Sequence, residues 1–292
     1  MPIELILLIV FAVVVVAYLV LVRTGLGCIL IHCGPELVRC LMDSESREGL
    51  KALMDCGDKD SDRIKTQEIE FKNMKVPGDS DICSARCLDE YPTTQLAAFS
   101  KKVTTKCKHA FKDKNEVPTE FVDFLGSPLP MNIHEHEGYW WRSYTNAWDS
   151  WGGSKLEFAS QDNGNWNLHI QHQVKTAKRG MIRRTLVEHI EKEGITEYQF
   201  GTHLIMWGTE TTEVWKLIYK TEDIRVFAIC ATTEEPRLRK DSIVLVVSRE
   251  QEIPKDSLEK LKNAIENRGY TWKHFSKIDN ESYDPNLPVL PY

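Results

Sequence analysis

Gly138-Tyr139-Trp140-Trp141-Arg142-Ser143-Tyr144 is the stretch that decides the fold. A glycine followed two positions later by Trp suits the point where a first strand enters the floor of a small antiparallel barrel. The glycine permits close backbone approach, and the indole of Trp140 plugs the closed end. On this reading everything upstream delivers and staples, and everything downstream supplies the rest of the wall and a helix laid against it.

Downstream, Leu168-His169-Ile170-Gln171-His172-Gln173-Val174 alternates with period two and puts Leu168, Ile170, His172 and Val174 on one face. His172 on an apolar face is either a satisfied core histidine or a pH-sensing ring inside the barrel. Lys175 to Gly180 reads as a hairpin turn, Arg184 to Ile190 as the return strand and His203 to Trp207 as another strand. In Glu213-Val214-Trp215-Lys216-Leu217-Ile218-Tyr219 the alternation sets Glu213 on the face of Trp215, Leu217 and Tyr219. Glu213 is then either an acid in an apolar cavity or an exposed strand-end carboxylate. Trp148-Asp149-Ser150-Trp151 places an acid between two indoles, which would desolvate it and raise its pKa, unless Asp149 only caps the loop before Gly152-Gly153. Ile224 to Cys230 and Ile243 to Val247 complete the sheet, and Leu258, Leu261 and Ile265 give a helix after Pro254 its buried stripe. The segment from Pro285 to Tyr292 is expected to be loose.

Upstream, Ile3 to Val22 is apolar apart from Glu4. A helix of about 20 such residues matches the bilayer core, so a retained transmembrane anchor is expected. Arg23 would orient its own side toward the cytosol, whereas Cys28, Cys33, Cys40, Cys56, Cys83, Cys87 and Cys107 ask for an oxidising lumen there. The clustered cysteines outweigh one arginine. They read as disulfide candidates in a helical segment with too little apolar surface for a core of its own; no Cys-x-x-Cys pair suggests a structural metal site. The sequence thus divides into an anchor at 1–24, a Cys-rich helical domain at 25–115, the barrel at 116–254, and a helix and tail at 255–292. The expected class is mainly β: an eight-stranded antiparallel barrel with a C-terminal helix, preceded by a small disulfide-rich α-helical domain. Mixed charge with a formal net of -6 leaves no basic stripe, so nucleic acid is not expected as a partner. The alternating His134-Glu135-His136-Glu137 run is read as a solvated linker or as a cluster titrating near pH 6 that could drive a pH-dependent homodimer.

Taken in order, these pieces resemble the violaxanthin de-epoxidase family. Cys28-Ile-Leu-Ile-His-Cys33 followed by Gly-Pro-Glu-Leu-Val-Arg-Cys40, then Cys83-x-x-x-Cys87, is similar to the family's helical cysteine segment. Gly138-Tyr139-Trp140 resembles its first barrel strand, and Trp148-Asp149-Ser150-Trp151 with Leu156-Glu157-Phe158 its aromatic-acid motif. Arg184, Trp215 and Asp279-Asn280 fall where the family has the same residues. The resemblance implies a lipocalin barrel that binds an apolar isoprenoid or carotenoid epoxide and removes its oxygen with ascorbate as co-substrate, without a metal, in an oxidising plastid or secretory lumen; the alternatives are a membrane-anchored lipocalin that holds an apolar ligand unchanged and an accessory subunit of a membrane complex. It implies Asp149 and Glu213 as catalytic acids, and Trp148, Trp151, Glu157, His172, Trp215 and Phe227 as ligand contacts. The chain departs from the family at Phe227-Ala228-Ile229-Cys230, where the family has Tyr-Tyr-Arg-Gly, and at Val214, which takes the place of a family acid beside Glu213.

Overall fold

The computed structural model describes residues 25–56, 86–107, 127–146, 152–191, 196–206, 209–233 and 243–291. Eight antiparallel strands follow one another: β1 (Gly138–Thr145), β2 (Gly152–Ser160), β3 (Trp166–Thr176), β4 (Gly180–Glu191), β5 (Gln199–Met206), β6 (Thr209–Lys220), β7 (Ile224–Thr233) and β8 (Ile243–Ser248). Each pairs with the next, β8 returns to β1, and β4 pairs with β5, so the wall closes. Closure removes the free edges that an open sheet would present.

The floor forms where the sequence predicted it. Gly138 has φ +90, a conformation open to glycine and strained for other residues, and a Cβ there would meet Arg249 Nη1 at 3.3 Å. Trp140 is buried and donates from Nε1 to the carbonyl of His136 at 2.7 Å. The Arg249 guanidinium lies 3.8 Å over its ring and donates to the carbonyls of Tyr139 and Glu137 at 2.8 and 2.9 Å. One arginine thereby closes the floor by stacking and ties down the backbone that enters β1.

Both faces of β7 and β8 are buried, which is why these strands read as continuous apolar runs rather than alternating ones. Outside them, Val226, Ala228, Val244 and Val246 pack against Leu261 and Ile265 of a C-terminal helix, Lys255–Glu266. This is the helix that the Leu258, Leu261, Ile265 spacing indicates. The tail differs from expectation: Val289–Pro291 forms β10, parallel to Arg183–Thr185 of β4. β4 pairs with β5 only over His189–Glu191, so its upper edge is open, and an extended tail beginning at a proline satisfies it. A short strand β9 (Ser276–Lys277) pairs with β1 on the way.

The Cys-rich segment folds as α1 (Gly25–His32), α2 (Gly34–Met42), α3 (Ser44–Cys56) and α4 (Thr94–Lys106), so the C-terminal helix is α5. Pro35 opens α2, as its fixed φ favours, and the Thr93 hydroxyl caps α4 by accepting from Leu96 N. A Cys28–Cys107 disulfide crosses from α1 to the end of α4. Cys56 is disulfide-bonded as well; its sulfur lies 3.5 Å from that of Cys87, too far for a bond between those two, and Cys83, another disulfide candidate, lies outside the described residues. Cys33 and Cys40, both expected to be disulfide candidates, are buried free thiols instead, packed in the small apolar cluster with Leu50, Leu96 and Phe99. Burial pushes the Cys40 thiol up to about 11, with Asp43 and Glu36 adding repulsion. No helix among the described residues is long and apolar enough to cross a membrane, and the Ile3–Val22 run lies outside them.

Candidate functional site

The lumen has two unlike halves. Toward the floor, Phe158, Phe200, Trp215 and Phe227 join Trp140 as large side chains with almost no accessible surface. Phe200 stacks on Trp215 at 5.5 Å, and Phe227 meets Trp215 edge-on at 5.5 Å, Phe200 at 6.2 Å and Phe158 at 6.2 Å. Rings at these separations gain specific quadrupole contacts beyond their burial. The lower lumen is a packed core.

His136 belongs to this half. A 3-10 turn at Ile133–His136 points its ring upward against Phe227 at 5.4 Å and Phe158 at 5.7 Å. It has no accessible surface, and neither ring nitrogen has a hydrogen-bond partner. Burial, then the positive charge of Arg225, Lys220 and Arg249, pushes its pKa down to about 3. This corrects the reading of the His134–Glu137 run as a solvated cluster in which His136 titrates near pH 6. Alternating polarity resembled a linker because the turn that buries every third residue leaves no period-two signal.

Above the stack the inner wall carries a polar band, with apolar Val174 and Ile182 nearer the rim. Strand register places Ser154 beside His172 and His172 beside Arg184, all three buried. Arg142 completes the row, donating from Nη1 to Ser154 Oγ at 3.4 Å, while Ser154 Oγ donates to the Gln171 carbonyl at 3.1 Å. Asn280 fixes the first two members. It accepts from Ser154 N at 2.9 Å and donates to the Arg142 carbonyl at 2.8 Å, bridging β1 and β2 where the register of each shifts. Gly153 allows this approach, since a Cβ there would stand 2.6 Å from Tyr283 Cβ. Burial first, then Arg142 and Arg184, hold the pKa of His172 well below the usual histidine range, so the ring is neutral rather than a sensor near neutral pH. Glu213, on β6, is buried and accepts a 3.0 Å hydrogen bond from the indole of Trp215. Glu213 is therefore not an exposed strand end. Below the row lie Ile170 and Leu186, which keep a little accessible surface where the aromatic stack has almost none.

The Cys-rich helices dock on this rim. Asp89 reaches Arg184 at 3.7 Å, both nearly fully buried, and the Glu90 carbonyl accepts from Ala177 N at 2.9 Å in the β3–β4 turn. Lys178–Glu48 and Arg179–Glu45, each 2.9 Å, flank that contact at the surface.

Of the residues expected at the site, His172 and Glu213 face the upper lumen, whereas Trp215 and Phe227 lie in the packed lower stack. Glu157 lies on the outer face opposite Tyr139, because inward Leu156 and Phe158 leave the residue between them pointing out. Trp148, Asp149 and Trp151 lie outside the described residues, between Asn146 and Gly152. Sequence reasoning missed Arg142, Ser154, Arg184 and Asp89. Parity along Ile182, Arg184 and Leu186 was a signal for the third; the others needed the register.

The family model of the VDE lipocalin domain matches residues 25–280. No curated protein matches the chain. Among solved structures, insecticyanin from the tobacco hornworm Manduca sexta is 7% identical, covering 60% of this chain and 94% of its own, with a TM-score of 0.45. The amine-binding protein of Rhodnius prolixus in its tryptamine complex is 14% identical, covering 52% and 83%, with a TM-score of 0.42. Lobster apocrustacyanin A1 is 10% identical, covering 55% and 92%, with a TM-score of 0.38.

Proposed function

The chain belongs to the violaxanthin de-epoxidase family, and on that premise we propose that its barrel takes the oxygenated end of a long isoprenoid into the upper lumen and removes an epoxide oxygen with ascorbate as reductant. One observation carries this reading: a row of polar and cationic side chains lies above a filled aromatic core, with Glu213 on the same inner wall. A ligand entering at the rim has only the upper lumen to occupy. Its leading end meets hydrogen-bonding groups, which suits a ring bearing oxygen, and its apolar length extends toward the rim.

In the proposed reaction a carboxyl, Glu213 or Asp149, protonates the epoxide oxygen as the first C–O bond breaks. Ascorbate supplies two electrons and two protons in total and leaves as dehydroascorbate; the oxygen leaves as water and the two carbons become an alkene. Neutral His172 lies on the wall that the oxygenated end would meet. The apolar run Ile3–Val22 would hold the barrel at a bilayer, the source of such a ligand, with the disulfides in an oxidising lumen.

The test is incubation of the purified chain with violaxanthin and ascorbate at pH 5, followed by absorbance and by chromatography of the product. De-epoxidised product that falls at least a hundredfold in rate in Asp149→Asn or Glu213→Gln supports the enzyme. Pigment bound and recovered unchanged would leave a carrier. Absence of binding would contradict both.

A further inference from the structure

The second helix of the Cys-rich segment, α2, is apolar on two sides. Cys33, Leu37 and Cys40, at i, i+4 and i+7, pack into the small apolar cluster of the helices. Val38, Leu41 and Met42, at i, i+3 and i+4, share the other side and stay 54%, 46% and 82% exposed. Leu30 and Ile31 at the end of α1 are exposed as well. An apolar face of this kind is uncommon on a protein that meets only water, and it marks a contact.

Two observations say what covers it. The apolar run Ile3–Val22 ends three residues before α1 begins at Gly25, and three residues reach about 10 Å at full extension. Whatever holds that run therefore stands close to α1 and α2. The charges bordering the face are cationic: Arg39 and Arg47 are exposed, and Arg47 Nη1 donates to the Leu41 carbonyl at 3.0 Å. The neighbouring acids are engaged, Glu36 by Lys102 at 2.9 Å and Asp43 by Ser46 N at 2.7 Å. An apolar stripe bordered by arginines suits a helix lying in the headgroup region of a bilayer that contains anionic lipid.

We propose that the outer face of α2, with the end of α1, docks on a lipid bilayer and thereby sets the rim of the barrel at the lipid surface. α3 follows α2 directly and carries the ion pairs Glu48–Lys178 and Glu45–Arg179 to the β3–β4 turn, so the helices that meet the bilayer also hold the rim. One attachment at Ile3–Val22 fixes position; a second apolar contact fixes orientation as well. A ligand dissolved in the bilayer then reaches the upper lumen without crossing water. The inference rests on the function proposed above, in which Ile3–Val22 holds the barrel at a bilayer, and names the surface that orients it there.

The test is photolabelling of the intact chain in vesicles of phosphatidylcholine and phosphatidylglycerol, doped with a phosphatidylcholine that carries a diazirine on its acyl chain. Adducts are mapped by mass spectrometry. They are expected in Ile3–Val22 and on the peptide that holds Val38, Leu41 and Met42. Val38→Glu combined with Met42→Glu should lower the α2 adducts several-fold. Adducts in Ile3–Val22 and the circular dichroism should stay unchanged, because both substituted side chains are exposed in the fold. The same double variant should take violaxanthin from the vesicles several-fold more slowly and bind it with wild-type affinity in detergent micelles. Adducts in Ile3–Val22 with none on α2, or α2 adducts undiminished in the double variant, overturn the surface and leave its face to a second copy or to another segment of the chain. Adducts on α2 with none in Ile3–Val22 keep the surface and overturn the anchor; no adducts at all overturn both. A chain that labels on α2 yet binds no violaxanthin keeps the surface and loses the proposed function.

Discussion

The two halves of the lumen face the same solvent-free interior and are built by the same alternation of strands, yet one is filled and the other is lined. In the lower half, most inward positions carry an aromatic or aliphatic side chain that meets another, Glu188 is buried between Leu186 and Ile190, and His136 sits among the rings without a hydrogen-bond partner. In the upper half, inward positions on four consecutive strands are polar and are fixed from outside by Asn280 and Asp89. Burial alone therefore does not mark a site in this barrel. The side chains that are both buried and oriented by a second layer mark it.

Substitutions in each half test that contrast. The largest effect is expected in the lower half: Phe227→Ala removes a fully buried ring that four others touch and should lower unfolding free energy by about 3–5 kcal/mol in denaturant titration. A loss below about 1 kcal/mol would mean that the stack is not packed. Next comes Asn280→Ala, which leaves Ser154 N and the Arg142 carbonyl without their partner and should cost about 2–3 kcal/mol.

The third effect is a pH dependence with a defined sign. His136 has a folded pKa of about 3 against an ordinary value of 6.5, so between those values the unfolded chain binds the proton and the folded chain does not. Its contribution to stability is complete above pH 6.5 and is lost as pH falls toward 3; at pH 5 the loss is about 2 kcal/mol. His172, also shifted down, contributes in the same direction. His136→Phe should therefore flatten the decline in stability between pH 7.5 and 5, and an unchanged slope would place the titrating group elsewhere. The smallest effect belongs to the rim: Lys178→Ala breaks an exposed ion pair with Glu48 and should change stability by no more than about 0.5 kcal/mol.

The architecture was legible because barrel strands write period two into the sequence and glycine-Trp spacing marks a floor. Leu168 to Val174 faced as read, and the C-terminal helix lay where its leucines put it. Less of the site was legible. Parity placed His172 and Glu213 inside, but which inward residues become neighbours depends on register between strands, and no local pattern shows that Arg142, Ser154, His172 and Arg184 form one row. The division of the lumen was equally hidden, since Trp215 and Phe227 look alike to a sequence whether they line a cavity or fill it. β10 escaped notice because a proline-bounded tail acquires its strand from an open edge of β4.

The central claim is that ligand enters the upper lumen and stops above the aromatic stack. Its most direct test compares uptake of violaxanthin by Leu186→Trp, which fills the space beneath the polar row, with uptake by Phe227→Leu, which alters the stack. The account predicts at least a tenfold loss of affinity in the first and wild-type affinity in the second. The reverse pattern, with the lower variant losing the ligand and the upper one keeping it, would contradict it.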